Sequence, residues 1–213
     1  MAIADERRER LRGAHLYLVM EAGAAERVLG PALEGGVDVV QLREKDAPDD
    51  AIVETGKWMR EICDRHGALL IVNDRADLAV ACGADGVHVG QDDEALDSVR
   101  ETVGPDLIVG ISTHSPEQVE AGLASTADYL GVGPVYATPT KEGVQPVGLD
   151  LVGYAAAHAA AKPWFAIGGI DPSNAAAVAE AGATRIAVVR AIRDADDPRA
   201  AAAALAREEA RVH

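Results

Sequence analysis

Val37-Asp38-Val39-Val40-Gln41-Leu42-Arg43-Glu44-Lys45 is a short apolar run that stops abruptly in charge. Pro48-Asp49-Asp50 then opens an amphipathic stretch reaching about His66, Gly67 closes it where a left-handed residue is wanted, and a second apolar run fills Ala68 to Val72. This is the pattern of a strand, a crossover helix and a parallel strand. The alternation continues outward in both directions. Strand candidates are His15 to Met20, Val37 to Leu42, Ala68 to Val72, Gly86 to Val89, Leu107 to Ile111, Tyr129 to Val132, Trp164 to Ile167 and Arg185 to Val189, eight in all.

Helix starts are legible between them. Ser115-Pro116-Glu117 and Asp171-Pro172-Ser173 each offer an N-cap followed by proline at the first helical position. Gly83, Gly104 and Gly182 close helices as Gly67 does. An alanine-rich helix runs from Pro198 to Arg211, and no linker, low-complexity run or charge block divides the chain. The reading is one domain over residues 1–213, with residues 1–13 as a charged N-terminal helix or tail. Eight strand–helix repeats in this length fit an α/β fold of the closed (β/α)8 TIM-barrel type, which uses about 200 to 250 residues. An open doubly wound sheet would carry a GxGxxG turn, and none is present. Gly131-Val132-Gly133 comes late and lacks the third glycine.

With 48% hydrophobic residues and only seven aromatics, the core has to be built from Val, Ile, Leu and Ala. A net charge of −15 argues against a nucleic-acid partner, which needs a basic stripe. Arg7, Arg8, Arg10 and Arg12 form the one basic cluster, and interleaving with Glu6 and Glu9 reads as a solvated helical turn or frayed tail. Acidic residues outnumber basic ones 35 to 20, a pattern that fits a cytoplasm of high salt, where self-repulsion is screened. Cys63 and Cys82 lack CxxC or metal-ligand neighbours and read as buried, reduced thiols. No leader-like N-terminus and no run of 18 apolar residues is present, so the expectation is a cytoplasmic protein with no membrane partner. The sequence is compatible with a homo-oligomer.

Polar residues collect where the strands end, at Gln41 to Lys45, Asn73-Asp74, Gln91-Asp92-Asp93, Ser112-Thr113-His114, Thr138 to Lys141, Gly168-Gly169 and Val189-Arg190. In a barrel these share the C-terminal rim that carries active sites. Arg43 and Lys45, two apart, point to one side and can neutralise a diphosphate, while Glu44 points away. A surface pair bonded to helix acids is the alternative. Asp74 and Asp93 end adjacent strands and offer two hard oxygen ligands for Mg²⁺, with Asp92 competing for the second place and helix capping as the alternative use. Gly168-Gly169 permits close backbone approach and, with the amides after strand eight, makes a phosphate cradle or else only a tight turn. Gly133-Pro134-Val135-Tyr136-Ala137-Thr138-Pro139-Thr140-Lys141 places two hydroxyls and one of only four lysines on a loop stiffened by proline, which suits a phosphorylated ligand or an ordinary turn. His88, inside a strand, reads as a packed interior histidine, and His114 as a rim residue able to contact a ligand. No Ser/His/Asp or Cys/His order points to covalent nucleophilic catalysis.

Val39-Val40-Gln41-Leu42-Arg43-Glu44-Lys45, Ile71-Val72-Asn73-Asp74-Arg75, Gly86-Val87-His88-Val89-Gly90-Gln91-Asp92-Asp93, Gly131-Val132-Gly133-Pro134 through Thr138-Pro139-Thr140-Lys141, and Ala166-Ile167-Gly168-Gly169-Ile170 together resemble the thiamine phosphate synthase family, from about Tyr17 to Ile192. The resemblance implies joining of a hydroxymethylpyrimidine diphosphate to a thiazole phosphate, both small phosphorylated substrates, with Mg²⁺ as cofactor. Gln41, Arg43, Lys45, Asn73, Ser112 and Lys141 would hold the pyrimidine diphosphate, and Asp74 and Asp93 the metal. Thr138, Thr140, Gly169 and the Val189-Arg190 amides would hold the thiazole phosphate, with Leu42, Glu44 and Pro139 as further substrate-binding members of the same motifs. Arg43, Lys45 and Lys141 would carry catalysis by stabilising the leaving pyrophosphate, whose departure leaves a pyrimidine carbocation for the thiazole nitrogen to capture. The chain departs from the family at Arg190, where a serine is usual. The related thiazole tautomerase shares the barrel but expels no diphosphate, so Arg43, Lys45, Asp74 and Asp93 argue against it. A non-catalytic phosphate sensor on the same barrel would bind without turnover.

Overall fold

The computed structural model describes residues 3–138 and 145–210. Eight parallel strands, β1 (Leu16–Met20), β2 (Val39–Leu42), β3 (Leu69–Asn73), β4 (Gly86–Val89), β5 (Ile108–Thr113), β6 (Tyr129–Val132), β7 (Trp164–Ile167) and β8 (Ile186–Val188), close in sequence order with β8 against β1. Three of the eight runs read from sequence match residue for residue, and the others differ by one or two residues at an end. Helices α1 (Ile3–Arg12), α2 (Ala22–Glu34), α3 (Asp49–His66), α4 (Ala76–Ala81), α5 (Leu96–Val103), α6 (Pro116–Ala124), α7 (Gly148–His158), α8 (Ala175–Glu180), α9 (Arg190–Arg193) and α10 (Pro198–Ala210) complete the described elements.

Both faces of each strand are covered, which is why the strands read as unbroken apolar runs rather than alternating ones. On β3, Leu69 and Ile71 face the barrel interior, while Leu70 and Val72 join the larger core between barrel and helices. The interior layer holds Tyr17, Tyr129 and Phe165 among aliphatic side chains.

Ser115 caps α6 as expected, its side chain accepting from the Gln118 amide, with Pro116 opening the helix. Asp171 does not cap a helix. Its carboxylate accepts from the amide and hydroxyl of Ser173 at 2.8 and 2.5 Å, folding residues 171–174 into a turn, and α8 starts at Ala175. Gly67, Gly83, Gly104 and Gly182 all have positive φ, as their helix-closing role requires.

The N-terminal arginines also differ from expectation. They belong to α1, which lies across the N-terminal end of the barrel with Leu11 buried in the interior layer. Arg7 pairs with Asp85 at 3.0 Å, Arg8 with Asp128 at 2.7 Å, and Arg10 donates to the Ala68 carbonyl at 2.8 Å. Those aspartates stand one residue before β4 and β6, and each also accepts the amide of a neighbouring strand, Leu70 or Val109, at 2.9 Å. The charges that read as a solvated helical turn or frayed tail in fact tie α1 to the strand starts.

Candidate active site

The C-terminal ends of the strands surround a cavity of about 570 Å³. Register explains what reaches it. β2 ends at Leu42 with Gln41 facing inward, and the Arg43 amide extends the pairing to the Met20 carbonyl at 2.9 Å. Arg43 and Lys45 therefore both line the cavity. Glu44, alternating, turns outward and accepts from the Ala22 amide at 2.5 Å, at the first turn of α2. Leu42 is buried in the outer core. Neither Leu42 nor Glu44 lines the cavity, so the two outward members of this motif do not join the site side chains expected from sequence.

Asn73 and Asp74 end β3, where the Asp74 amide donates to the His88 carbonyl at 2.8 Å and the Arg75 amide to the Asn73 carbonyl at 2.7 Å. Asp74 has φ +61°, the one described non-glycine residue with positive φ. That backbone is costly for an aspartate, and such conformations collect at functional sites. Its carboxyl lies beside that of Asp93. Burial first, then Asp93, push the Asp74 carboxyl up to about 6, while Arg43 and Asn73 pull it down. Asp93 also accepts from the Gly90 amide at 2.7 Å. Capping accounts for neither carboxylate, because α4 and α5 begin after Arg75 and Ala95 with no side-chain cap. Asp92 lines the same edge of the cavity. Two carboxyls in contact have to share a proton or a cation, and this donor set fits a hard divalent ion completed by phosphate oxygens and water. Among the described residues no third acidic, histidine or cysteine ligand joins them.

Across the opening, Gly168 and Gly169 have φ +107° and +64°. A Cβ on Gly168 would come within 2.5 Å of Pro134, and one on Gly169 within 2.8 Å of Tyr136. The pair is needed both for its backbone conformation and for close approach of the loop after β6, whose Val135 and Tyr136 amides donate to Ile167 and Gly168. Gly169, Val189, Arg190 and Thr138 line this side. Pro139, Thr140 and Lys141 lie outside the described residues.

The floor is polar in a way the sequence did not announce. Ser112 and Gln41 line it together with Tyr17, His88 and Tyr129. His88 is held at both ring nitrogens, as an interior histidine is expected to be, yet it also borders the cavity. Tyr17 and Tyr129 were missed, because a tyrosine in an apolar strand reads as core. Their signal was a hydroxylated aromatic on an inward strand position of a chain with only seven aromatics. His114 lines the rim with Nδ1 against the Gly133 carbonyl.

A family model described as thiamine monophosphate synthase matches residues 16–192. A thiamine-phosphate synthase of Gloeobacter violaceus is 52% identical over 198 residues, covering 92% of this chain and 58% of that protein. The chain thus spans less than two thirds of that relative. Another thiamine-phosphate synthase, from Acidothermus cellulolyticus, is 50% identical over 201 residues, covering 92% of this chain and 95% of the relative. Among solved structures, a thiamine phosphate pyrophosphorylase from Pyrococcus furiosus superposes with a TM-score of 0.86 at 34% identity, covering 96% and 98% of the two chains. A closed eight-stranded barrel with cationic, acidic and glycine motifs on one rim, matched over most of its length, belongs to the thiamine monophosphate synthase family.

Proposed function

We propose that this protein is a thiamine phosphate synthase. It condenses 4-amino-2-methyl-5-hydroxymethylpyrimidine diphosphate with 4-methyl-5-(2-phosphoethyl)thiazole, or the carboxylated form of that thiazole, and releases pyrophosphate. The observation that supports this reading is one cavity with two unlike polar sectors. Arg43, Lys45, Asp74 and Asp93 lie on one side, and the backbone around Gly169, Val189 and Arg190 on the other. Two phosphorylated substrates need two such places.

Arg43 and Lys45, with Lys141 from the segment between β6 and α7, hold the diphosphate and stabilise the charge that grows as the C–O bond breaks. The bonding pair leaves with pyrophosphate. The thiazole nitrogen then forms the C–N bond with its own lone pair, so no proton has to move and no general base is demanded. Asp74 and Asp93 would hold Mg²⁺, which when bound neutralises part of the departing charge. Gln41, Asn73 and Ser112 orient the pyrimidine diphosphate, and Thr138 and Thr140 with the glycine turn orient the thiazole phosphate. Arg190, in place of the usual serine, brings a charge to that phosphate.

Cys63 and Cys82 are buried and unpaired, which fits the reducing cytoplasm. No described helix is long and apolar enough to cross a membrane. The test is product formation: protein, both substrates and Mg²⁺ should yield thiamine phosphate, read as thiochrome fluorescence. Binding of both substrates without product would leave a sensor, and would end the synthase reading.

A further inference from the structure

A chain of hydrogen bonds crosses the barrel interior beneath the cavity. Gln41 Nε2 donates to the Tyr17 hydroxyl at 2.8 Å, and the Tyr17 and Tyr129 hydroxyls lie 2.9 Å apart. The Tyr129 hydroxyl is 2.9 Å from His88 Nδ1, and His88 Nε2 is 3.0 Å from Ser112 Oγ. These residues stand on β2, β1, β6, β4 and β5, so closure of the barrel alone brings them together.

Counting protons gives the chain a direction. Each phenol has one proton and can accept as well. Tyr17 accepts from Gln41, so its own proton goes to Tyr129; Tyr129 in turn donates to His88 Nδ1. His88 is then protonated at Nε2 and donates to Ser112, whose hydroxyl proton is left for the cavity. With Gln41 presenting Nε2 to Tyr17, the opposite direction would leave the Tyr17 proton without an acceptor in a residue only 2% exposed. Burial holds both phenols well above their ordinary range, so both remain donors.

The surroundings are built to keep this arrangement. Phe165 meets the Tyr17 and Tyr129 rings edge-on, with centroids at 5.2 and 5.9 Å. Gly110 leaves the room they need, since a Cβ there would overlap the Tyr129 ring and come within 2.5 Å of His88 Nδ1. An interior that only had to pack would use apolar groups such as Phe165 throughout, because buried polar chains carry a desolvation cost.

We propose that Tyr17, Tyr129 and His88 are positioning residues that fix the polarity of the cavity floor, holding Ser112 as a donor and the Gln41 carbonyl as an acceptor toward the ligand. This floor matches a ring edge that pairs an amino group with a ring nitrogen. The kinetic part rests on the synthase reading; the spectroscopic part does not.

The full chain labelled with ¹⁵N-histidine would be examined by long-range ¹H–¹⁵N NMR, with His88 assigned by loss of its signals in His88→Asn. Protonation at Nε2 alone is expected, and protonation at Nδ1 would overturn the proposal. In parallel, Tyr17→Phe, Tyr129→Phe and the double variant keep the rings and cut the chain. Each single variant should lower kcat/KM for the pyrimidine diphosphate about tenfold, with KM for the thiazole phosphate within about twofold of wild type. The double variant should be little worse than either single, since both cut one chain. Equal losses toward both substrates, or none, would overturn it. A wild-type protein without turnover would end the synthase reading and leave His88 protonation to decide the chain's direction.

Discussion

Single side chains carry the chemical argument, and Lys141 is the one whose loss should show most. One preorganised charge contact to a leaving group is worth ~3 kcal/mol, so Lys141→Ala should lower kcat about a hundredfold. Near-normal turnover in a steady-state assay would remove it from the mechanism. Asp74 gives a test of opposite sign. Its proton is held more tightly in the folded chain than in the unfolded one, so apo-protein stability falls as pH rises from the usual carboxylate range through about 6. Asp74→Asn should therefore melt higher than wild type at pH 7.5 without metal, and Mg²⁺ should raise the melting temperature of wild type alone. Equal melting temperatures with and without Mg²⁺ would count against Asp74 as a ligand. Sequence located these residues because charge at a strand end interrupts an apolar run. Strand alternation already set Glu44 apart from Arg43 and Lys45, and only the family motif brought it in as a substrate ligand; the hydrophobic pattern passed over Tyr17 and Tyr129, whose hydroxyls are invisible to it.

Among the elements, the strands were legible because a parallel sheet covered on both faces needs unbroken apolar runs, as Leu69-Leu70-Ile71-Val72 shows. Helix α1 was not. Its arginines alternate with glutamates as a solvated face would, and only the position of Asp85 and Asp128 before β4 and β6 reveals their partners. Asp85 is 4% exposed and meets both Arg7 and Arg60. Asp85→Ala removes the buried carboxylate from both guanidiniums and from the Leu70 amide, leaving, among the described residues, Arg7 only the Asp106 carbonyl and Arg60 only Asp64 and the Ala68 carbonyl, so urea unfolding should show a loss of ~3 kcal/mol. The cavity lies at the other end of the barrel, so kcat at 20 °C should stay within about twofold. A change below ~1 kcal/mol would mean that α1 is held by its apolar contacts instead. The start of α8 was also misread, because Asp171 followed by proline signals a cap and a turn equally well.

The whole molecule combines a net charge of −15 with a fold whose cavity has to attract anions. Local cations on the rim resolve that conflict over a few ångströms, while the remaining surface repels itself and is relieved by salt. The melting temperature should therefore rise between low salt and molar KCl. A gain of ~2 kcal/mol would read as ~4–8 °C for a chain of this size, and no change would contradict the high-salt reading. The barrel alone does not give the activity, since the same fold hosts many chemistries. The central claim is that the rim expels pyrophosphate from one substrate and passes the pyrimidine to the other. Its most direct test is pyrophosphate release from the pyrimidine diphosphate, with and without thiazole phosphate and with and without Mg²⁺. Release that needs Mg²⁺ and matches thiamine phosphate mole for mole is the predicted result; a folded protein that releases none under any of these conditions would contradict it.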